Sequence, residues 1–284
     1  LEVKENYKFK KILVIYYLFT EDLNENILNS KNKIVIGKNS EIHLLDYLIN
    51  VSKKNFFNNV YEDVILGSSA RLKNIYLQKD KSSGYFHKYS KNRLSAGANF
   101  SSFIFPTGLK FNKLDLEFNL EGENCECNLQ SASFLSQQEH QEIKTRINHF
   151  YPNCKSYQKV KNVLNEDSKG VYQGKIFVKD EAQKTDAYQL SKAILLGERS
   201  EFDSKPELEI YADDVKCSHG STSGSLDKDS IYYLMTRGLT KIESTKLLVN
   251  GFLNEVIDSI KSDSIRNFIK TKLEEQLLNE YKKH

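Results

Sequence analysis

Residues 206–224 read PELEIYADDVKCSHGSTSG, and this stretch begins with the alternation of a half-buried β-strand. Leu208 and Ile210 alternate with glutamates, and successive side chains of a strand point to opposite faces. Cys217 and His219 stand two residues apart near the end of this predicted strand. They should therefore share one face, within reach of one metal ion or one neighbouring surface. The glycines that follow His219 are expected to break the strand.

Three further sequence blocks surround this stretch. KGVYQGKI (169–176) and AQKTDAYQ (182–189) precede it, and YLMTRGL (233–239) follows it. Together with KCSHG (216–220), these blocks resemble the SufB/SufD family of iron–sulfur cluster assembly proteins. The KCSHG and AQKTDAYQ blocks resemble SufD rather than SufB. SufB usually carries a cysteine between the two corresponding strands, and this chain has none between Cys154 and the KCSHG block.

Short apolar runs separated by polar turns fill the first three quarters of the chain. In the clearest run, Leu114, Leu116, Phe118 and Leu120 alternate with polar residues, which predicts a strand with one buried face. Similar runs lie at 34–36, 64–66, 75–77, 103–105, 176–178 and 208–212. The pattern indicates a sandwich, a barrel or a β-solenoid and does not choose among them. No clean internal repeat period is visible.

The family resemblance implies a right-handed parallel β-helix core followed by a C-terminal helical domain. We therefore divide the chain into a residual N-terminal segment (1–30), the β-helix core (31–225) and the helical domain (226–284). The chain begins at Leu1 rather than at methionine, so we expect a fragment or a processed form. The helical segment that the family usually has before its β region is expected to be mostly missing.

Helical periodicity marks the last quarter of the chain. Asp227 is predicted to cap a first helix that ends at Gly238. Apolar residues spaced three to four apart predict a second helix and a third helix. Their stripes are Ile242, Leu248, Phe252, Val256 and Ile260, and then Ile265, Phe268, Ile269, Leu273, Leu277 and Tyr281. We expect the stripes to pack against the end of the solenoid and against one another.

Composition excludes several classes of function. The net charge is +3, from 41 basic and 38 acidic residues, and no arginine-rich stripe favours nucleic-acid binding. The chain contains no run of about 18 apolar residues, so no membrane span is predicted. The chain has no phosphate-binding G-x-x-x-x-G-K-[ST] loop, no dinucleotide fingerprint and no nucleophile elbow. We therefore expect neither ATP hydrolysis nor independent catalysis by this chain.

The remaining cysteines and histidines are expected to be structural. Cys125 and Cys127 share a face at strand spacing and are expected to be free, buried thiols. A structural thiol is also expected at Cys154. His140 and His149 lie in a polar stretch that could be helical, and no ligand role is predicted for either.

The resemblance to SufD implies a role for the Cys217 and His219 pair. His219 matches the family histidine that takes part in forming a nascent cluster together with SufB groups, and Cys217 is the neighbouring candidate. Thiolates hold most iron–sulfur clusters, and imidazole can replace them. The cluster is expected to be transient, at the subunit interface, with none stably bound by the isolated chain. The implied partners are a SufB-like subunit, at the open end of the β region, and the Suf ABC-type ATPase, at the C-terminal helices. The sequence leaves undecided whether the isolated chain forms a homodimer.

The expected function is that of a SufD-like scaffold subunit that is not an enzyme. One alternative is a SufB-like homodimeric scaffold, which the missing cysteine opposes. The other is a carbohydrate-active β-helix enzyme using Asp213 or Asp214. Consecutive strand residues face opposite sides and make a poor acid pair, and the chain has no tryptophan to bind a sugar ring. The expected location is the bacterial cytoplasm or, as an alternative, a plastid-type organelle.

Overall fold

The computed structural model describes residues 1–23, 25–51, 54–79, 82–106 and 108–281. The strands are β1 (Glu2–Val3), β2 (Lys8–Phe19), β3 (Ile27–Ile36), β4 (Glu41–Asn50), β5 (Phe57–Leu66), β6 (Arg71–Lys79), β7 (Ser82–Leu94), β8 (Asn99–Phe105), β9 (Leu109–Leu120), β10 (Glu126–Leu135), β11 (His140–His149), β12 (Lys155–Leu164), β13 (Lys169–Val178), β14 (Asp186–Leu195), β15 (Glu201–Ile210) and β16 (Lys216–Gly224). The helices are α1 (Lys228–Thr236), α2 (Lys241–Ile257) and α3 (Asp263–Tyr281), with a short 3-10 helix at Glu21–Leu23.

The strands form two parallel sheets, and consecutive strands alternate between them. Sheet A contains the odd-numbered strands from β1 to β15, and sheet B contains the even-numbered strands from β2 to β16, each in numerical order. One odd and one even strand make one coil of a β-solenoid of about seven turns. Each coil therefore pairs mainly with its neighbours, as in other solenoids. The predicted parallel β-helix followed by helices is confirmed.

The coils differ in length, which hides the repeat in the sequence. His87 Nδ1 lies 3.0 Å from Oδ1 of Asn59, its neighbour in the preceding coil, which stands 28 residues earlier in the chain. Lys169 donates to Glu201, its neighbour in the next coil, which is 32 residues further along. Both pairs join neighbouring coils in the same sheet. A fixed period is therefore absent even though every coil returns to the same place.

A ladder of tight turns forms one corner of the solenoid. Asn39 and Ser69 adopt positive φ angles of 57° and 58°, a conformation that short polar residues tolerate better than branched ones. Asn39 N–H donates to Ser68 O of the next coil at 2.9 Å, and Ser69 N–H donates to Ala96 O at 2.9 Å. The residue after each such turn is small and buried, as at Ser40, Ala70, Ala98, Cys125 and Cys154. The two cysteines of this column thus fill a corner that admits only small side chains.

Inward-facing residues stack in columns and form the core. Ile36, Leu66, Leu94 and Leu120 are neighbours in successive coils of sheet A, and each is fully buried. Burying one such side chain contributes about 1.5–3 kcal/mol. The same column continues with His149, so that a buried imidazole takes the place of an apolar residue.

Helices α2 and α3 cover the outer face of sheet B. Val249 and Leu253 of α2 pack with Phe103, Phe134 and Val163 of the even-numbered strands. The expectation that the helices pack against the end of the solenoid is therefore wrong. The side of the solenoid offers outward-facing apolar residues in several coils, whereas the final strand is mostly exposed and polar.

The buried stripe of α2 is rotated from the predicted one. Val249 and Leu253 are fully buried, while Ile242 from the predicted stripe is 42% exposed. Val256 is buried, as predicted. Both stripes are apolar at helical spacing, and only contact with sheet B distinguishes the buried one.

Helix α1 begins and ends where the sequence predicts. The Asp227 side chain accepts hydrogen bonds from Asp229 N–H and Ser230 N–H, and Gly238 follows the helix with a φ of 94°. No residue of α1 is buried. Within the described ranges, no helix combines the length and apolarity that a membrane crossing requires.

Residues 1–30, expected to be a residual segment before the core, contain paired strands. β1 pairs with β3, and β2 pairs with β4. β2 reads KFKKILVIYYLF, which is a continuous run and not an alternation. Ile12 packs with the helices, while Leu13 and Tyr17 pack with the interior. Because both faces of β2 contact apolar residues, period-two alternation does not mark it.

Candidate functional site

The predicted pair lies on β16, the terminal strand of sheet B. β16 pairs with β14, and the described residues provide no strand on its other side. Lys216 N–H donates to Thr185 O of the preceding coil at 2.8 Å. In a parallel strand the backbone groups of alternate residues point to alternate sides. Cys217, His219 and Ser223 therefore direct their backbone N–H and C=O groups to the unpaired side, which we call the open edge.

One element of the site differs from the sequence-based expectation. Leu208 and His219 do not share a strand, because β15 ends at Ile210 and a turn precedes β16. This turn stacks on the previous corner: Asp214 N–H donates to Gln183 Oε1 at 2.9 Å. The glycine at 220 lies inside β16 and does not end it. The exposed Asp213 and Asp214 are thus turn residues and not strand residues.

The Cys217 thiol lies on the lumen side, where the lumen is the interior between the two sheets. Cys217 is the neighbour of Ala187 on β14, and Ala187 is 1% exposed. The thiol is half-buried and packs with a small apolar cluster that includes Val178 and Ala212. Burial raises the pKa of the Cys217 thiol. Metal ligation there would release a proton, because the thiolate is the ligand.

His219 stands two residues further on the same side of β16. It is the neighbour of Gln189, which is fully buried and accepts a hydrogen bond from Tyr172 OH at 3.3 Å. The Gln189 amide also donates to Gly174 O at 3.3 Å. His219 itself is exposed, and no described residue forms a hydrogen bond with its ring. The imidazole is therefore available to a ligand at the open end of the solenoid.

The structure brings together two ligand-type side chains and not a complete metal site. Among the described residues, no group of three or more histidine, cysteine, aspartate or glutamate side chains is arranged to hold a metal ion. Iron–sulfur clusters are usually held by four ligands. A cluster at Cys217 and His219 would need further ligands from outside the described part of the chain.

The other cysteines lie far inside the molecule. Cys125, Cys127 and Cys154 are buried and free, as predicted. The Cys125 and Cys154 thiols both donate to Gly122 O, each at 3.2 Å. The pKa of the Cys154 thiol is lowered, mainly by its hydrogen bond with Cys125 and further by a hydrogen bond with His149. The sequence pattern does not reveal this cluster, because its members come from different coil segments that only stacking brings together.

The possibility of a helix around His140 and His149 is not realised, because these residues are the two ends of strand β11. The buried His149 Nε2 lies 2.9 Å from Ser156 Oγ. His87 lies 3.0 Å from Asp115, and His43 lies 3.0 Å from Glu41 on the outer surface. None of these histidines lies with Cys217 and His219 in a common metal-binding group within the described ranges.

A second candidate surface lies on α1. Tyr232 is 70% exposed, and Tyr233 and Met235 are exposed as well. Arg237 lies over the ring of Tyr233, with 5.1 Å between the guanidinium carbon and the ring centre. Exposed aromatic residues next to arginine are common at protein–protein interfaces. We call these four residues, three on α1 and one directly after it, the α1 surface.

Fold and site together define a parallel β-solenoid protein that presents a thiol and an imidazole at an unpaired strand edge. The family model described as "SUF system FeS cluster assembly, SufBD core domain" matches residues 18–252, and the chain belongs to this family. The relationship predicted from the four sequence blocks is confirmed.

Several SufD proteins are similar to this chain. SufD of Escherichia coli K12 is 25% identical over 252 residues, covering 89% of this chain and 60% of that protein. SufD of Plasmodium falciparum is 26% identical over 278 residues, covering 96% of this chain and 18% of that protein. The chloroplastic protein ABCI7 of Arabidopsis thaliana is 26% identical over 243 residues, covering 85% of this chain and 51% of that protein. The chain therefore spans at most 60% of these relatives.

Proposed function

We propose that this chain is a SufD-like scaffold subunit of the Suf iron–sulfur cluster assembly complex. The observation that carries the proposal is the position of Cys217 and His219 on the open edge of β16. An assembly subunit needs ligands that a second subunit can complete. A pair of ligand-type side chains on the last strand of the solenoid meets that need.

A SufB-like subunit binds at the open edge in this proposal. β16 offers a row of unpaired backbone donors and acceptors, which a strand of a partner can satisfy. Most side chains of its sequence KCSHGSTSG are short and polar, so a partner strand can approach without a steric barrier. Pairing there brings partner side chains next to Cys217 and His219.

The iron–sulfur cluster is cargo that is assembled at this seam and then released. Cys217 and His219 supply a thiolate and an imidazole from this chain, and the SufB-like subunit supplies the other ligands. His219 is the more accessible of the two, because Cys217 is half-buried. The cluster is therefore transient, and the isolated chain does not retain it.

The Suf ABC-type ATPase binds the C-terminal helices, and the α1 surface supports this assignment. The buried faces of α2 and α3 contact sheet B, so they are not available to a partner. In contrast, α1 buries none of its residues and exposes Tyr232 and Met235. The chain works by binding and by conformational gating, without a covalent step. Its relatives are consistent with a bacterial cytoplasm or a plastid as its location.

Co-elution tests the proposed assembly directly. The chain is mixed with a SufB-like subunit, with a Suf ATPase, and with both, and is then separated by size-exclusion chromatography. We expect a ternary complex and binary complexes with each partner. A chain that elutes only as a homodimer in the presence of SufB would instead support the homodimeric alternative.

Paired variants locate the ATPase contact. Tyr232→Ser and Met235→Ser should weaken ATPase binding by tenfold or more each, since central aromatic and methionine contacts cost about 1–2 kcal/mol or more when truncated. Leu278→Ser on α3 is the matched control, because Leu278 is also an exposed apolar residue of a helix. Equal losses for all three variants would contradict the placement on α1.

A further inference from the structure

Three charged side chains point into the lumen of the N-terminal coils. Asp46 of β4, Glu62 of β5 and Lys88 of β7 are 1%, 3% and 6% exposed. Lys88 Nζ lies 2.8 Å from Glu62 Oε1 and 3.7 Å from Asp46 Oδ2. Ser90 Oγ donates to Glu62 Oε1 at 3.0 Å, and Asn74 Nδ2 donates to Asp46 Oδ2 at 3.3 Å. Glu62 therefore has the closer and better-supported ion pair with Lys88.

Several acceptor atoms around this cluster have no donor. Asp46 Oδ1, Glu62 Oε2 and Asn74 Oδ1 are buried without a hydrogen-bond partner in the described part of the chain. Two cavities of about 10 and 20 Å³ border these side chains, and Tyr76 and Lys88 line both. The larger cavity, which Glu62, Asn74 and Lys88 line, has room for about one water molecule. The Tyr76 hydroxyl, which can donate as well as accept, is also without a partner in the described part of the chain. The three carboxylate and amide oxygens are acceptors, so the group that satisfies them must be a donor, and a water molecule can donate to them and accept from Tyr76.

The charges of the cluster do not balance when every group is ionised. Two carboxyl groups face one ammonium group, and an uncompensated charge is strongly unfavourable in a buried site. Among the described residues, the other titratable groups that face the cluster are phenols. Burial raises the pKa of Tyr17 on β2 to about 12 and that of Tyr76 on β6 well above its ordinary value, so both are neutral. One carboxyl group must therefore carry a proton.

Asp46 is the better candidate for that proton. Its contact with Lys88 is longer than that of Glu62, and its other donor is an uncharged amide. Burial, the largest influence, raises the pKa of Asp46. Protonation also changes one acceptor into a donor in a group of side chains that leaves three acceptor oxygens unpaired.

We propose that the lumen site formed by Asp46, Glu62, Asn74 and Lys88 binds ordered water and keeps Asp46 protonated. Glu62 and Lys88 then form the ion pair of the cluster, and its four side chains together carry no net charge. The bound water donates to Glu62 Oε2 and Asn74 Oδ1, and the Asp46 hydroxyl supplies a further donor. The ligand of this site is thus a small neutral hydrogen-bond donor.

Two carboxyl-to-amide replacements in the full chain test the proposal by urea unfolding at pH 7. Asp46→Asn replaces the proton by an amide donor of the same shape, and we expect the unfolding constant to change by less than about tenfold. Glu62→Gln removes the closer partner of Lys88 and leaves only Asp46, at 3.7 Å, to ionise in its place, so we expect the unfolding constant to rise by more than about tenfold. A loss for Asp46→Asn as large as that for Glu62→Gln would overturn the proposal.

The pH dependence gives a second test with a defined sign. Because the folded state holds the Asp46 proton more tightly, its stabilising effect is complete below the unfolded pKa of about 3.9 and is lost as the pH rises through the folded pKa. The stability of Asp46→Asn relative to the natural protein should therefore increase with pH. A constant or falling difference would contradict a protonated Asp46.

Measurements on the natural protein decide the question even where a variant fails to fold. Carboxyl carbon chemical shifts should show Asp46 protonated at pH 6, and NMR should detect long-lived water near the Lys88 side chain. Dry cavities would overturn the water site. A melting temperature raised by ammonium chloride and not by sodium chloride would place an ammonium ion there and overturn the protonated carboxyl.

Discussion

Replacing Glu255 tests how the C-terminal helices are held on the solenoid. Glu255 of α2 forms an ion pair with Lys159 at 3.0 Å and a second one with Lys161 of β12, whose side chain is only 1% exposed. Lys161 Nζ also donates to Phe252 O at 2.9 Å and lies 4.3 Å from the centre of the Phe252 ring. The helix therefore covers a lysine whose charge it must compensate.

The pKa changes of Glu255 and Lys161 indicate different contributions of their ion pair to the free energy of unfolding. Hydrogen bonds from Lys161 and then Lys159 hold the pKa of Glu255 at about 2, below its ordinary value of 4.5, which corresponds to about 3 kcal/mol at full strength. The Glu255 side chain is 54% exposed, so solvent screening reduces its contribution to about 1–2 kcal/mol. Burial lowers the pKa of Lys161 although Glu255 raises it, so part of the attraction only offsets the cost of burying the ammonium group.

We therefore expect Glu255→Gln to lower the free energy of unfolding by about 1–2 kcal/mol and the melting temperature by about 2–6 °C. Lys161→Met removes both the charge and its burial cost, so its stability should stay within about 1 kcal/mol of the natural protein. Thermal and urea unfolding at pH 7 measure both variants, with Lys159→Met as the control for a partly exposed partner.

The pH dependence has a defined sign. Glu255 is more acidic in the folded state, so its contribution is complete above its ordinary pKa of about 4.5 and is lost as the pH falls through about 2. The difference between Glu255→Gln and the natural protein should shrink over that interval. A loss for Lys161→Met larger than that for Glu255→Gln would refute the reasoning, because it would mean that the ion pair contributes more than it costs.

Three further outcomes are expected. His219→Ala should leave complex formation intact and lower the yield of cluster in a reconstituted complex, with a milder loss for Cys217→Ser; unchanged yield, equal to that of the His43→Ala control, would contradict the ligand role. Ser223→Pro removes one backbone donor from the open edge and should weaken SufB binding about fivefold, whereas Ser223→Ala should not; calorimetric titration measures both. Removing α1 to α3 exposes Phe103 and its apolar neighbours on sheet B, so size-exclusion chromatography should show aggregation; a monomeric, folded remainder would show that the solenoid does not need its helical cover.

Local signals in the sequence were sufficient to predict several strands, the ends of the first helix and the family. The alternation from Leu114 to Leu120 predicts β9, and Asp227 and Gly238 mark the ends of the first helix. These features depend on backbone geometry and on neighbours within a few residues. The spacing of Cys217 and His219 likewise places both on one side of a strand. Four short blocks were enough to indicate the family.

The position of the strands and helices relative to each other required the tertiary structure. Turns of unequal length hid the coil repeat, and a strand with apolar contacts on both faces concealed β2 in the first coil. Helix α2 has two apolar stripes, and only contact with sheet B selects the one with Val249 and Leu253.

The lumen cluster shows the same limit most clearly. Asp46, Glu62 and Lys88 lie on three strands of two sheets. Strand alternation fixes which residues share a side with each of them, but it does not say whether that side faces the lumen or the solvent. The sequence by itself determined the period of each strand and the ends of the helices, because these follow from backbone geometry and near neighbours. Which face is buried, and which distant charges meet there, depends on how the coils stack, because burial is a property of the assembled layers and not of any one strand.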